Sequence, residues 1–329
     1  MSRLLTIPFL FLAACAAGSP NRTPAVEEAA REKTLRDEEA KRRDFKAVLI
    51  RLDQSIDSYV KALADQGEFR ADQQQERLYR LVQETVLDLG PQIARKGDVK
   101  NLPMPKQGET LVRLQNLATD ATNPEAQAIA LTALGFSGQT DQMPLILQGA
   151  QLRDPFVVDH AVLGLAVLRA PNTPPGVLAA IAERPEHPLE GRVQAAWALY
   201  RIQTACEVGK MQPINDVWLR FLANRDTLPA GVLVSAARGL GFARDKTHAA
   251  ALLPALKHPT PRVRMAAAVA LGRMNAQEQW RELLELIGPA ETVPNVRLAA
   301  SKALAALAGG ADHQYDVVAW RKTFERSGS

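Results

Sequence analysis

One stretch constrains this chain more than any other: Pro259-Thr260-Pro261-Arg262-Val263-Arg264-Met265-Ala266-Ala267-Ala268-Val269-Ala270-Leu271-Gly272-Arg273-Met274. Its two prolines stop a preceding helix and restrict the turn. Val263, Ala266, Ala267, Ala270, Leu271 and Met274 then follow one another at helical spacing, as a single apolar stripe. Small residues dominate that stripe, so a neighbouring helix can approach closely. The same frame returns around Leu304, Leu240, Leu199, Leu165 and Leu134, at intervals of roughly 31 to 34 residues with one longer step of about 41. A period of that size is the signature of stacked helix pairs. Partner helices are expected at 110–118, 142–151, 176–183, 214–223, 248–256 and 277–287. A single pair cannot bury its apolar face alone, so stacking must supply a continuous core.

The run Pro261-x-Val263-Arg264-x-Ala266-Ala267-x-x-Ala270-Leu271-Gly272 resembles the HEAT-repeat family, in particular its short-period bacterial members. The resemblance covers about two thirds of the chain and implies an all-α fold. That fold is a right-handed α-solenoid of about six HEAT-like helix pairs over 106–325, preceded by a helical hairpin. Many HEAT repeats carry an Asp shortly before the Val-Arg pair, whose carboxylate bonds along the stack. Here Arg264 and Arg297 keep the arginine, but His258 and Glu291 stand in the Asp's place, so an Asp–Arg ladder is not expected. The segment from Asp312 to Arg321 looks like the closing helix of many such chains, with Val317, Trp320 and Phe324 turned inward.

The first residues read as a targeting signal. Met1-Ser2-Arg3 is a short positive start, an apolar run follows, and Leu12-Ala13-Ala14-Cys15 ends it. The run is too short to span a bilayer and fits a secretory h-region. Leu-Ala-Ala-Cys resembles the bacterial lipoprotein signal, which implies a signal peptide over 1–14 and acylation of Cys15. The alternative is an ordinary signal peptide cut after Ala14 or Ala17. Two or more acyl chains would give near-permanent anchoring. Ala16 follows the cysteine, so the retention Asp known in enteric bacteria is missing, which favours the outer membrane. Residues 15–44 form a lipid-anchored tether whose charges interleave and nearly cancel.

From Phe45 the pattern sharpens. Phe45, Leu49, Leu52, Ile56, Tyr59 and Leu63 alternate steps of four and three, and a second helix is expected from about Asp72 to Ala94. Residues 45–98 therefore read as a helical hairpin that closes on itself or on the first repeat. A homodimer through a coiled coil over 45–63 is the other reading, although three heptads are marginal alone. Residues 96–108, with Gly97, Pro103 and Pro105, make the best linker.

Charge is modest, about +4 over 329 residues. Cys15 and Cys206 are the two cysteines, so an acylated Cys15 leaves no internal disulfide. None of the five histidines sits in a metal-binding frame. His187 and His258 each precede proline in equivalent turns and read as turn residues. HEAT-like iron hydroxylases bind metal through His-Glu pairs, and this sequence has none. Another HEAT-like group attaches bilins, for which an exported lipoprotein is a poor setting. No Gly-x-Ser-x-Gly, Walker loop or dinucleotide fingerprint is present. Catalytic residues, metal and cofactors are therefore expected to be absent, and the chain is read as no enzyme. Asp154, Asp159 and His160 read as turn capping and surface solvation.

The expected function is that of an envelope lipoprotein, outer-membrane anchored and facing the periplasm, whose repeat surface binds another envelope protein. Arg264, Arg297 and Lys302 are the candidate partner-binding residues. Two alternatives stand beside it. The insertion at 203–212, which causes the long step, could serve a HEAT-like enzyme or ligand-binding module, with Cys206 within it. Arg238, Arg262, Arg264, Arg273, Arg297 and Lys302 could instead meet nucleic acid, but export removes the chain from it, and no nucleic-acid partner is expected.

Overall fold

The computed structural model describes residues 24–64, 71–89 and 108–327. The segment read as a lipoprotein signal, Cys15, and all of the expected linker at 96–108 except Gly108 lie outside the described residues. The chain divides into two units, residues 1–48 and 49–329. The described part of the first is a helical, largely exposed segment, the beginning of α1 (Pro24–Ala64). The second unit holds the rest of α1 and α2 (Ala71–Val86), followed by six helix pairs. These are α3 (Glu109–Ala118) with α4 (Pro124–Phe136), α5 (Met143–Gly149) with α6 (Pro155–Leu168), and α7 (Pro175–Glu183) with α8 (Leu189–Gln203). Then come α9 (Gln212–Ala223) with α10 (Ala230–Ala243), α11 (Leu253–Leu256) with α12 (Pro261–Met274), and α13 (Trp280–Ile287) with α14 (Pro294–Leu307). Helix α15 (Val317–Ser327) closes the series. No strand occurs among the described residues, and the all-α solenoid of six pairs stands as the repeat predicted it.

The even-numbered helices from α4 to α14 form one row, each packed closely on the next, while the first helices of the pairs touch one another far less. The tightly packed row is therefore the inner, concave one. Close approach rests on the small residues of the repeat. A Cβ added at Gly135 would lie 2.2 Å from the carbonyl oxygen of Gly164, and one at Gly272 would lie 2.9 Å from Cα of Ala303. Proline at the first helical position opens α4, α6, α7, α12 and α14, where its missing N–H has no helical partner anyway.

The fourth position of the inner helices has one recurring duty. Gln127 donates to the carbonyl of Ala118, Arg192 to Ala182 and Arg297 to Ile287. Each thereby caps the C-terminal end of the first helix in its own pair, where free carbonyls and the helix dipole favour a donor.

The N-terminal seam is used within the chain. Leu52, Ile56 and Tyr59 are buried, and Tyr59 meets Phe136 of α4 edge-on with ring centroids 5.0 Å apart. Tyr79 of α2 packs on the same ring. These residues close on the first repeats, which leaves them unavailable for the coiled-coil homodimer. Helix α2 stops at Val86, earlier than the periodicity suggested. Asp88 turns to φ +52° instead, and its carboxylate accepts from the amide and hydroxyl of Thr110 at 2.9 and 2.5 Å. It thus caps α3, whose own N-cap, Gly108, has no side chain to do so.

At the other end, Trp320 is fully buried and Phe324 nearly so, with Phe324 stacked on Trp280 of α13. Both turn inward as expected, while Val317 is half-buried.

Candidate concave groove

The inner row carries its side chains in a regular grid. From the first helical residue, positions two, five, nine and thirteen share one face, because those steps approximate whole turns. On α12 these are Arg262, Met265, Val269 and Arg273. Together with Val234 and Arg238 of α10 and Leu298 and Lys302 of α14, they line a groove of about 560 Å³. Its floor is apolar, with Ala266, Ala270 and Ala299 beneath. Four cations stand in its walls, Arg238, Arg262, Arg273 and Lys302, and no carboxylate lines it. All four are exposed. None has an ion pair or side-chain hydrogen bond among the described residues, so their charge faces whatever enters.

The three residues singled out by sequence divide. Lys302 is in the groove. Arg264 and Arg297 are not, because the fourth helical position lies about 200° around the helix from the second and points toward the first helix of the pair. Arg297 caps α13, and its guanidinium lies 4.7 Å from the Tyr315 ring centroid. Arg264 forms a bidentate pair with Glu291 at 2.7 and 2.9 Å and donates to the carbonyls of His258 and Pro259. The two side chains of this pair are only 15% and 6% exposed. Arg264 thus ties α12 to the turn that opens α14, and its fork is already fully engaged. Glu291 fills the Asp's place in the stack, so one rung of the ladder exists with a longer acid.

Hydrogen bonds from Arg264 hold the Glu291 carboxyl below its ordinary value despite its burial. Another rung has the opposite polarity. His187, buried in the turn before α8, meets Asp159 of α6 at 2.7 Å. His258 lies in the corresponding turn and accepts from the amide of Thr260. Both histidines are turn residues, as the sequence suggested. Asp154 caps α6 by accepting from the amide of Phe156.

Sequence reasoning had placed Arg238, Arg262 and Arg273 on or beside the right helices without separating them from Arg264 and Arg297. The separating signal was present: the 3.6-residue period that sorts the apolar residues sorts the arginines equally well.

The insertion after α8 is tied into the core. Gln203 is fully buried, donates to the Asn215 side chain and accepts from the indole N–H of Trp218, both at 2.9 Å. The Cys206 thiol is half-buried against the carbonyl of Ile202, and burial pushes it upward, away from thiolate character. At the tip, Val208 is 94% exposed. Among the described residues no cluster of three or more His, Cys, Asp or Glu is arranged to hold a metal, and no helix is long and apolar enough to cross a membrane.

Residues 222–305, the stretch that builds most of this groove, match the family description for HEAT repeats. No curated protein matches the chain. Among solved structures, an engineered protein is 18% identical, with 83% of this chain and 72% of that chain covered and a TM-score of 0.46. Human deoxyhypusine hydroxylase in complex with glycerol is 14% identical, covering 80% and 97%, with a TM-score of 0.32. The complex of CpcE and CpcF of phycocyanin lyase from Nostoc sp. is also 14% identical, covering 96% and 99%, with a TM-score of 0.34.

Proposed function

We propose that this protein is a lipid-anchored envelope scaffold, held through Cys15, whose concave groove over α10, α12 and α14 receives an acidic segment of another envelope protein. It acts by binding rather than catalysis. The carrying observation is the charge of the groove: four exposed cations, unpaired among the described residues, over a floor of small apolar residues. Cations without an internal partner need break no existing ion pair to meet a new one, and an acidic segment would be steered to them. HEAT repeats support a protein-interaction role of this general kind. The Leu12-Ala13-Ala14-Cys15 run supports the anchor, and Ala16 supports the outer membrane. Presentation then needs only a rigid stack, a fixed point and the charged tether between them.

The test compares wild type, Cys15→Ser and the double variant Arg262→Glu/Lys302→Glu by fractionation and proximity crosslinking in the native host. Wild type should be found in the membrane with a few reproducible envelope partners. Cys15→Ser should release it, and the groove variant should keep its location and lose the partners. Wild type found in the cytoplasm would refute the anchor, and a partner set unchanged in the groove variant would refute the groove.

A further inference from the structure

The basic groove does not end at α10. A second, larger cavity of about 880 Å³ continues from it along the inner row, sharing Val234, Arg238 and Arg262, and runs back to α6. Its character differs. The floor is Leu163, Val193 and Trp197, with Leu189 at the edge, and one wall comes from outside the repeats. That wall is α1, whose Ile56, Val60 and Leu63 fall one and two turns apart on a single face toward the cavity. Val60 and Leu189 are 41% and 56% exposed there. The carboxylates of this face, Asp57, Asp159 and Glu190, gather at the α1, α6 and α8 end. The concave face therefore has a polarity: acidic and apolar under α1, basic and shallow over α12 and α14.

We infer that the cavity between α1 and α6–α10 is an apolar anchor pocket for the same partner segment whose acidic run lies in the basic groove. The occupant is a polypeptide carrying an acidic block and, beside it, two or three aliphatic or aromatic side chains. Charge fixes the arrangement. Acidic residues of the segment are repelled by Asp57 and Glu190 and drawn to Arg238, Arg262, Arg273 and Lys302, which leaves the apolar block to the α1 end. Length argues for a chain rather than a compact small molecule. Five inner helices, α6 to α14, at 8–10 Å spacing make a trough of roughly 32–40 Å, the reach of about ten to twelve extended residues. The inference rests on the groove reading above and adds to it that α1, not itself a repeat, selects the ligand.

The test is selection of a displayed library of random 12-residue peptides on the full-length protein, followed by affinity measurements on the enriched peptides. Enriched peptides should carry both blocks. Val60→Ser and Leu189→Ser, at exposed positions, should keep the helical circular dichroism and each weaken binding about tenfold, the effect of losing one buried aliphatic contact. Arg262→Glu should weaken it further and reduce its salt dependence, since Arg238, Arg273 and Lys302 remain. Enrichment of purely acidic peptides that ignore Val60→Ser would overturn the anchor pocket and leave the groove standing. Peptides indifferent to Arg262→Glu, or no enrichment above background, would overturn both.

Discussion

Removing Arg264 separates the two roles that the sequence had merged. In Arg264→Ala, the Glu291 carboxylate, 6% exposed, loses both arms of a bidentate partner. The carbonyls of His258 and Pro259 lose a donor as well. Exposed ion pairs contribute at most about 1 kcal/mol, whereas stranding one member of a buried pair costs about 3–5 kcal/mol. Exposure and bidentate geometry place this pair in the second class. Repeats feel mainly their neighbours, so the loss should be local. Amide hydrogen exchange read by mass spectrometry should show α12 and α14 opening about a hundredfold more often or greater, with α4 and α6 unchanged. Arg262→Ala, two residues away and exposed, should leave exchange unaltered while weakening partner binding.

The pair also sets a pH dependence. Arg264 lowers the Glu291 carboxyl in the folded chain from its ordinary 4.5. Its contribution is therefore present above about pH 4.5 and lost as pH falls through the lowered folded value. The stability gap between wild type and Glu291→Gln should then close on acidification. Arg264→Ala exchanging like wild type, or a gap constant from neutral pH to about 3, would refute this account.

Two further outcomes follow from the packing. Gly135→Ala puts a methyl within 2.2–2.8 Å of Gly164 backbone atoms, which the closely packed row can relieve only by separating α4 from α6. A loss of about 1–3 kcal/mol is expected by urea denaturation, and an unchanged midpoint would contradict the close approach. The Cys206 thiol, raised by burial, should alkylate with iodoacetamide at pH 8 several-fold more slowly than a free cysteine peptide. Equal or faster modification would revive a reactive role for the insertion.

Some of this architecture is local and some is not. The inner helices can be read directly because their period, their first-position prolines and their small residues act within one or two turns. The first helices of the last two pairs were located, but their openings as 3₁₀ turns at 246–252 and 277–279 depend on how tightly the stack draws them in. Helix α2 was overestimated because an apolar period continues past Val86, and nothing local reveals that Asp88 is needed as a cap for α3, 22 residues away. The N-terminal seam was legible as a seam, but its partner was not: three heptads look the same whether they face a second copy or Phe136.

For the site, sequence placed basic residues on the inner helices, and of its three candidates Lys302 is the one that lines the groove. It could not tell Arg262 from Arg264 without asking which way the fourth helical position turns. Local periodicity by itself determines that this chain is a stack of helix pairs with close-packed inner helices, because hydrogen bonding and apolar spacing within a helix are short-range. Which arginines are engaged and which have no partner among the described residues, and that α1 walls the concave face, only the tertiary structure decided, since both depend on residues far apart in the chain meeting in space.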